Sequence, residues 1–94
     1  MNCYQQSLSW IEDNAYLIGM VPVEELLRLG YEIDLSKETK VLDLCCRYGT
    51  LLKVWNEAFG ITGVGVDWNK EFLSVGEERL KKRGIDKLRL CAAM

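Results

Sequence analysis

Residues 41–52 read VLDLCCRYGTLL, an apolar run that passes through a turn into a second apolar run. The first six residues are apolar apart from Asp43, which is typical of a strand buried in a parallel sheet. After the turn, apolar residues recur with the 3.6-residue repeat of an amphipathic helix, which Gly60 ends. We therefore predict a strand over residues 41–46 and a helix that begins after the loop of residues 45–50.

The rest of the chain also alternates between segments typical of strands and segments typical of helices. The run ITGVGVD, residues 61–67, predicts a second strand whose glycines indicate the close approach of another backbone. Asn69 can cap the next helix, Gly84 ends it, and Gly76 within it predicts tight packing on the sheet. A short third strand covers about residues 87–92. The apolar residues expected to face inward from the last helix are Phe72, Leu73, Val75 and Leu80.

Residues 1–35 precede this unit and predict a helical lead-in. The cap and stop residues of its two helices are Ser7 and Gly19 for the first, and Pro22 and Gly30 for the second. Residues 40–94 then form a βαβαβ unit, and right-handed crossovers place its three parallel strands in the order 3-2-1. We predict one domain over residues 1–94, an α/β fold of the three-layer Rossmann-like type with an incomplete sheet.

Composition excludes several kinds of chemistry. The 94 residues include no histidine, so catalysis by a serine–histidine or cysteine–histidine pair is excluded within them. The four cysteines show no C-x-x-C spacing, so we predict no metal site and treat them as small buried apolar residues. Trp10, Tyr16 and Trp55 are expected to pack in the core.

Charge and hydropathy limit the partners. The net charge is −2, and a basic cluster near the end of the chain is most simply a solvated helix face, so nucleic acid is an unexpected partner. No apolar run is long enough to cross a membrane, and the N-terminus lacks the pattern of a signal peptide. We expect a cytoplasmic protein that does not contact a membrane.

The turn after the first strand is the candidate binding site. Where a parallel strand meets its helix, free backbone N–H groups and the helix dipole face a crevice that suits polar or anionic groups. The loop of residues 45–50 lies there. Asp67 ends the second strand about twenty residues further on, where a carboxylate can accept hydrogen bonds from both hydroxyls of a ribose. The pair predicts a site for a nucleoside.

Three segments carry a resemblance to a known family. VLDLCCRYG resembles the motif VLDLGCGxG of class I S-adenosylmethionine-dependent methyltransferases, GVGVDWNKEFL resembles the segment that ends their second strand, and KLRLCAAM falls where their third strand runs. The resemblance implies S-adenosylmethionine or S-adenosylhomocysteine as the cofactor. It implies that Asp43 helps to position the methionine end, that Gly49 is the last motif glycine, that Asp67 binds the ribose and that Trp68 lies along the adenine.

The sequence departs from the family pattern at three places. Cys45 and Arg47 replace the first two motif glycines, and glycine is used there because it allows a positive φ or close passage of a ligand. Arg47 could occupy part of the pocket or pair with the cofactor carboxylate. Residues 92–94 offer no acid for the adenine amine. Retention and loss of cofactor binding both stay open, with Cys45 and Arg47 included in the candidate site.

The resemblance covers only the cofactor-binding half of such an enzyme, so we expect no catalytic residue and no activity of this chain alone. The first function hypothesis is a cofactor-binding half-domain of a methyltransferase. The second is a non-catalytic structural or assembly unit, since an exposed first strand over residues 41–46 would favour a homodimer or a domain-swapped dimer. The third is an NAD-binding half-domain, which the loss of two glycines disfavours.

Overall fold

The computed structural model describes residues 21–93. The predicted first helix, Trp10 and Tyr16 lie outside these residues. Helices and strands alternate in the predicted order. The elements are α1 (Val23–Glu32), β1 (Lys40–Leu44), α2 (Thr50–Phe59), β2 (Thr62–Asp67), α3 (Lys70–Lys82) and β3 (Leu88–Ala92).

The three strands form one parallel sheet with β2 at its centre. Their order is β1-β2-β3, which confirms the order predicted from the sequence. Leu44 pairs with Val66, and Asp67 pairs with Ala92. Because all strands run the same way, their carboxyl ends meet at one edge of the sheet, and the candidate site lies at this edge.

Helices α2 and α3 cover one face of the sheet, and glycines on β2 let them approach. A Cβ on Gly63 would lie 2.8 Å from the Leu52 side chain, and a Cβ on Gly65 would lie 2.7 Å from Cys46 Sγ. The glycines do mark a close approach, but its nearest atoms belong to side chains rather than to the backbone that the sequence predicted. The buried cluster between helices and sheet consists of Cys46, Leu52, Trp55, Ile61, Leu73, Leu80, Leu88 and Leu90.

Helix α1 packs on α2. The indole of Trp55 is buried and donates a hydrogen bond of 2.8 Å to the carbonyl oxygen of Leu26, so the predicted core role of this tryptophan is confirmed. The predicted end at Gly30 is wrong, because the helix continues to Glu32. Gly30 serves packing instead, since a Cβ there would lie 2.5 Å from the Phe59 ring.

Helix α3 begins with the predicted cap. The Asn69 side chain accepts hydrogen bonds from the backbone N–H groups of Glu71 (3.0 Å) and Phe72 (3.1 Å), as the sequence indicated. Val75, however, was expected to face inward and is 40% exposed. Two residues of helix rotate it about 200° from the buried Leu73, so it faces away from the sheet.

The opposite face of the sheet is not covered by the described residues, which supply two of the three predicted layers. Leu42 and Leu44 are 65% and 67% exposed, and Val64 is 39% exposed.

β1 ends at Leu44 rather than at the predicted residue 46, because the backbone of Cys45 leaves the extended region with φ 60°. In residues 21–93 no helix has the length and apolar character that crossing a membrane requires.

Candidate cofactor site

The loop after β1 has a left-handed backbone at alternate residues. φ is 60° at Cys45, 55° at Arg47 and 75° at Gly49. These are the three positions at which the methyltransferase motif has glycine, so the chain keeps the backbone path of that motif with two non-glycine residues. A left-handed L-residue costs roughly 1–2 kcal/mol, and the surrounding contacts must therefore hold the loop in place.

Backbone hydrogen bonds and one buried side chain hold this loop against β2. The N–H of Cys46 donates to the carbonyl oxygen of Val66 at 3.0 Å, and the N–H of Gly49 donates to the Cys46 carbonyl oxygen at 2.8 Å. The Cys46 side chain is buried over Gly65. Cys45 is exposed, so treating it as a buried apolar residue was wrong; it lies on the solvent side of the turn.

A contact between the loop and α3 was not foreseen in full. Gly76 was predicted to pack tightly on the sheet, and a Cβ there would indeed lie 2.7 Å from Leu90 Cδ1. It would lie only 2.4 Å from the Tyr48 carbonyl oxygen, so the same glycine also admits the loop backbone. The Tyr48 ring packs on Phe72 with 4.7 Å between centroids, and the Arg79 guanidinium lies 5.8 Å from its centre. Tyr48 occupies a variable position of the motif, so only its aromatic character hinted at this anchoring role.

Asp67 joins the loop to the start of α3. Its side chain is buried, and its two oxygens accept hydrogen bonds from the N–H of Arg47 (2.9 Å) and the N–H of Asn69 (2.8 Å). The residue therefore has the structural role of a strand-end acid. A carboxylate offers about four acceptor positions, so these two hydrogen bonds leave about two of them unused.

Asp43 lies on β1 beside β2, where it pairs with Gly65. Burial raises the pKa of its carboxyl, and the nearby charge of Asp67 raises that pKa further. Burial, followed by the charges of Asp43 and Asp67, raises the pKa of the Cys46 thiol to about 12. The thiol therefore stays protonated at neutral pH and is no nucleophile, whereas the two acids favour a ligand with a cationic group.

The rim of the site is aromatic at β2 and apolar at β3. Trp68 follows Asp67 directly and is 75% exposed, so its ring is free to receive a flat ligand. Ala92 and Ala93 are exposed at the end of β3, where the family has an acid. The structure thus brings all six predicted site residues to one edge of the sheet; they are Asp43, Cys45, Arg47, Gly49, Asp67 and Trp68.

Other features of the described residues do not compete with this site. Among residues 21–93 no group of three or more potential metal-ligating side chains comes together. A cleft of about 670 Å³ lies between the three helices, and it is lined by Val23, Leu27, Thr50, Lys53, Val54, Glu57, Ala58, Arg79, Lys82 and Arg83. None of the six site residues is among them, so we do not assign this cleft to the cofactor.

Comparison with known proteins supports the resemblance seen in the sequence. No family model matches the chain. Demethylmenaquinone methyltransferase of Anoxybacillus flavithermus is 37% identical over 60 residues, which is 62% of this chain and 25% of that protein. The chain thus spans about a quarter of the length of this relative.

Solved structures agree with the sequence match. A methyltransferase of Geobacter sulfurreducens, in complex with S-adenosylhomocysteine, superposes with a TM-score of 0.73 at 29% identity over 93% of this chain and 36% of the other. An S-adenosylhomocysteine complex of a methyltransferase from Thiobacillus denitrificans gives 0.70 at 26% identity over 85% of this chain and 31% of the other.

The fold and the loop define an open, parallel α/β unit of the kind that binds nucleoside cofactors. The resemblance inferred from the sequence is confirmed: the chain has the class I S-adenosylmethionine-dependent methyltransferase fold and corresponds to part of it.

Proposed function

We propose that this chain binds S-adenosylmethionine or S-adenosylhomocysteine at the carboxyl edge of its sheet, as a cofactor-binding half-domain of a methyltransferase. The observation that carries the proposal is the left-handed backbone at Cys45, Arg47 and Gly49, in contact with the buried carboxylate of Asp67. The loop keeps the glycine-like path despite the two substitutions. The residues present therefore fit the cofactor, and the similar structures that hold S-adenosylhomocysteine favour it over NAD.

Each residue has a physical role in this proposal. Asp67 accepts hydrogen bonds from the ribose hydroxyls with its two remaining acceptor positions, and the exposed ring of Trp68 stacks on the adenine. The negative charge of Asp43 attracts the cationic groups near the methionine end. When bound, S-adenosylmethionine supplies an electrophilic methyl group on sulfur. The described residues bind and orient that group, and none of them is assigned a catalytic step.

The methyl acceptor belongs to the whole protein and not to this unit. Methyl transfer requires the acceptor to be held in line with the carbon–sulfur bond, which depends on the walls of a second pocket. The cleft between the three helices is lined by none of the six site residues. We therefore propose that cofactor binding, rather than turnover, is the property of this chain that can be measured on its own.

Tryptophan fluorescence tests the proposal directly. We expect S-adenosylhomocysteine to change the emission of Trp68, because stacking on adenine replaces its contact with water. The Trp68→Phe variant is the matched control: it keeps an aromatic ring at the site, and its spectrum should respond little to the ligand. A wild-type spectrum that does not change at any ligand concentration would argue against the proposal.

A second candidate function, assembly through β1, is favoured by the exposure of that strand. β1 lies at the edge of the sheet, and Leu42 and Leu44 expose about two thirds of their surface. Unpaired backbone groups beside exposed leucines favour pairing with another strand, and a second copy of this chain supplies an identical one. In this proposal the chain forms a homodimer, by strand pairing or by exchange of elements.

Sedimentation velocity at tens of micromolar tests the dimer. We expect the wild type to sediment as a dimer and Leu42→Glu to sediment as a monomer, because pairing two copies of the strand would bring like charges close together. Val75→Glu places the same charge on an exposed apolar residue of α3 and should leave the dimer intact. A monomeric wild type would rule the homodimer out.

A further inference from the structure

We propose that Arg47 determines ligand specificity at this site by binding the carboxylate of an amino-acid tail. The inference rests on the proposed function and deepens it. In this proposal the site prefers adenosine thioethers that carry an α-amino acid tail over those that lack one. The family motif has glycine at this position, so the contact would be particular to this chain.

The backbone of Arg47 is fixed at the mouth of the site. Its N–H donates to Asp67 Oδ2 at 2.9 Å, and its φ of 55° is the second left-handed position of the loop after β1. The Arg47 Cα therefore lies next to the carboxylate that is proposed to hold the ribose.

The guanidinium of Arg47 is available for a ligand. The residue is exposed, and its side chain makes no hydrogen bond or ion pair with the residues that the structure describes. The guanidinium is therefore free to contact a bound ligand.

The edge therefore carries two separate poles. Asp43 and Asp67 supply the negative pole, and the exposed Arg47 supplies the positive pole. An α-amino acid tail has a cationic ammonium and an anionic carboxylate on the same carbon, so it can satisfy both poles at once. Guanidinium and carboxylate match in geometry and form two parallel hydrogen bonds, which makes the contact specific for a carboxylate.

Strain at Arg47 also favours a functional contact. Glycine would adopt φ 55° without the roughly 1–2 kcal/mol that an L-residue costs there. Recognition of a carboxylate gives the strained residue a use that glycine cannot supply.

Two ligands that share the same nucleoside distinguish binding of the amino-acid tail from binding of the nucleoside. S-adenosylhomocysteine has the amino-acid tail, and 5′-methylthioadenosine lacks it. The ratio of their dissociation constants measures how much the tail contributes. We expect Arg47→Gln to reduce the preference for S-adenosylhomocysteine by about tenfold or more, because a hydrogen-bonded ion pair is lost. Affinity for methylthioadenosine should change little.

Control variants keep the result interpretable. Arg47→Lys retains the charge and should recover part of the preference, whereas Arg28→Gln removes an exposed arginine of α1 and should leave the preference unchanged. Equal losses for both ligands in Arg47→Gln, or tighter binding of S-adenosylhomocysteine, would overturn the inference and leave the proposed function standing. Failure of the wild type to bind either ligand would overturn the proposed function and this inference with it.

Discussion

Replacing Gly76 by alanine is expected to lower the free energy of unfolding by about 2–3 kcal/mol, although alanine is the better helix former. The added methyl group would lie 2.4 Å from the Tyr48 carbonyl oxygen and 2.7 Å from Leu90 Cδ1. The first of these contacts is with backbone, which cannot rotate away. α3 or the loop must shift, so the variant should also lose affinity for S-adenosylhomocysteine.

Chemical denaturation of Gly76→Ala and Ser74→Ala measures this effect. Ser74 is exposed in the same helix, so its replacement should change stability by no more than a few tenths of a kcal/mol. If Gly76→Ala were as stable as the wild type, the close packing of α3 against the loop would be wrong.

Asp67→Ala is expected to weaken binding of S-adenosylhomocysteine about 100-fold. Two hydrogen bonds from ribose hydroxyls to a charged acceptor contribute about 1.5 kcal/mol each at the lower end of their range, and about 1.4 kcal/mol corresponds to a tenfold change. The variant also loses the bonds that Asp67 accepts from Arg47 and Asn69. We therefore expect a less stable loop in addition to the weaker affinity.

Two control variants test whether the effect depends on the position of Asp67 in the chain and on its negative charge. Asp86→Ala removes an exposed acid from the turn before β3 and should bind like the wild type. Asp67→Asn keeps the shape and one acceptor oxygen, so its affinity should fall between those of the wild type and Asp67→Ala. Unchanged affinity in Asp67→Ala would show that the ribose lies elsewhere.

The sheet could be predicted from the sequence because its signals are local. The run before the loop, the Asn69 cap and the glycines of β2 each indicate one element, and right-handed crossovers then leave one strand order. The ends of helices were less predictable, because a glycine can either end a helix or allow close packing within it. Gly30 lies within α1 and packs against Phe59 of α2. Only the position of α2 distinguishes a glycine that serves packing from a glycine that ends a helix.

The clustering of the six candidate residues could also be predicted, since strand ends of a parallel sheet meet at one edge. The geometry of the loop after β1 could not. The sequence raised the question of whether Cys45 and Arg47 could follow a glycine path, and the structure shows both in the left-handed region. The supporting contacts come from Gly76 and Phe72, which lie more than twenty residues further along the chain. Such long-range support has no local sequence signal.

Isothermal titration calorimetry with S-adenosylhomocysteine is the most direct test of the central claim, which is that the strained loop and Asp67 still form a nucleoside site. We predict saturable heat with one ligand bound per chain, competition by S-adenosylmethionine, and loss of the heat in Asp67→Ala. A folded wild-type protein that gives no heat and shows no competition would contradict the account.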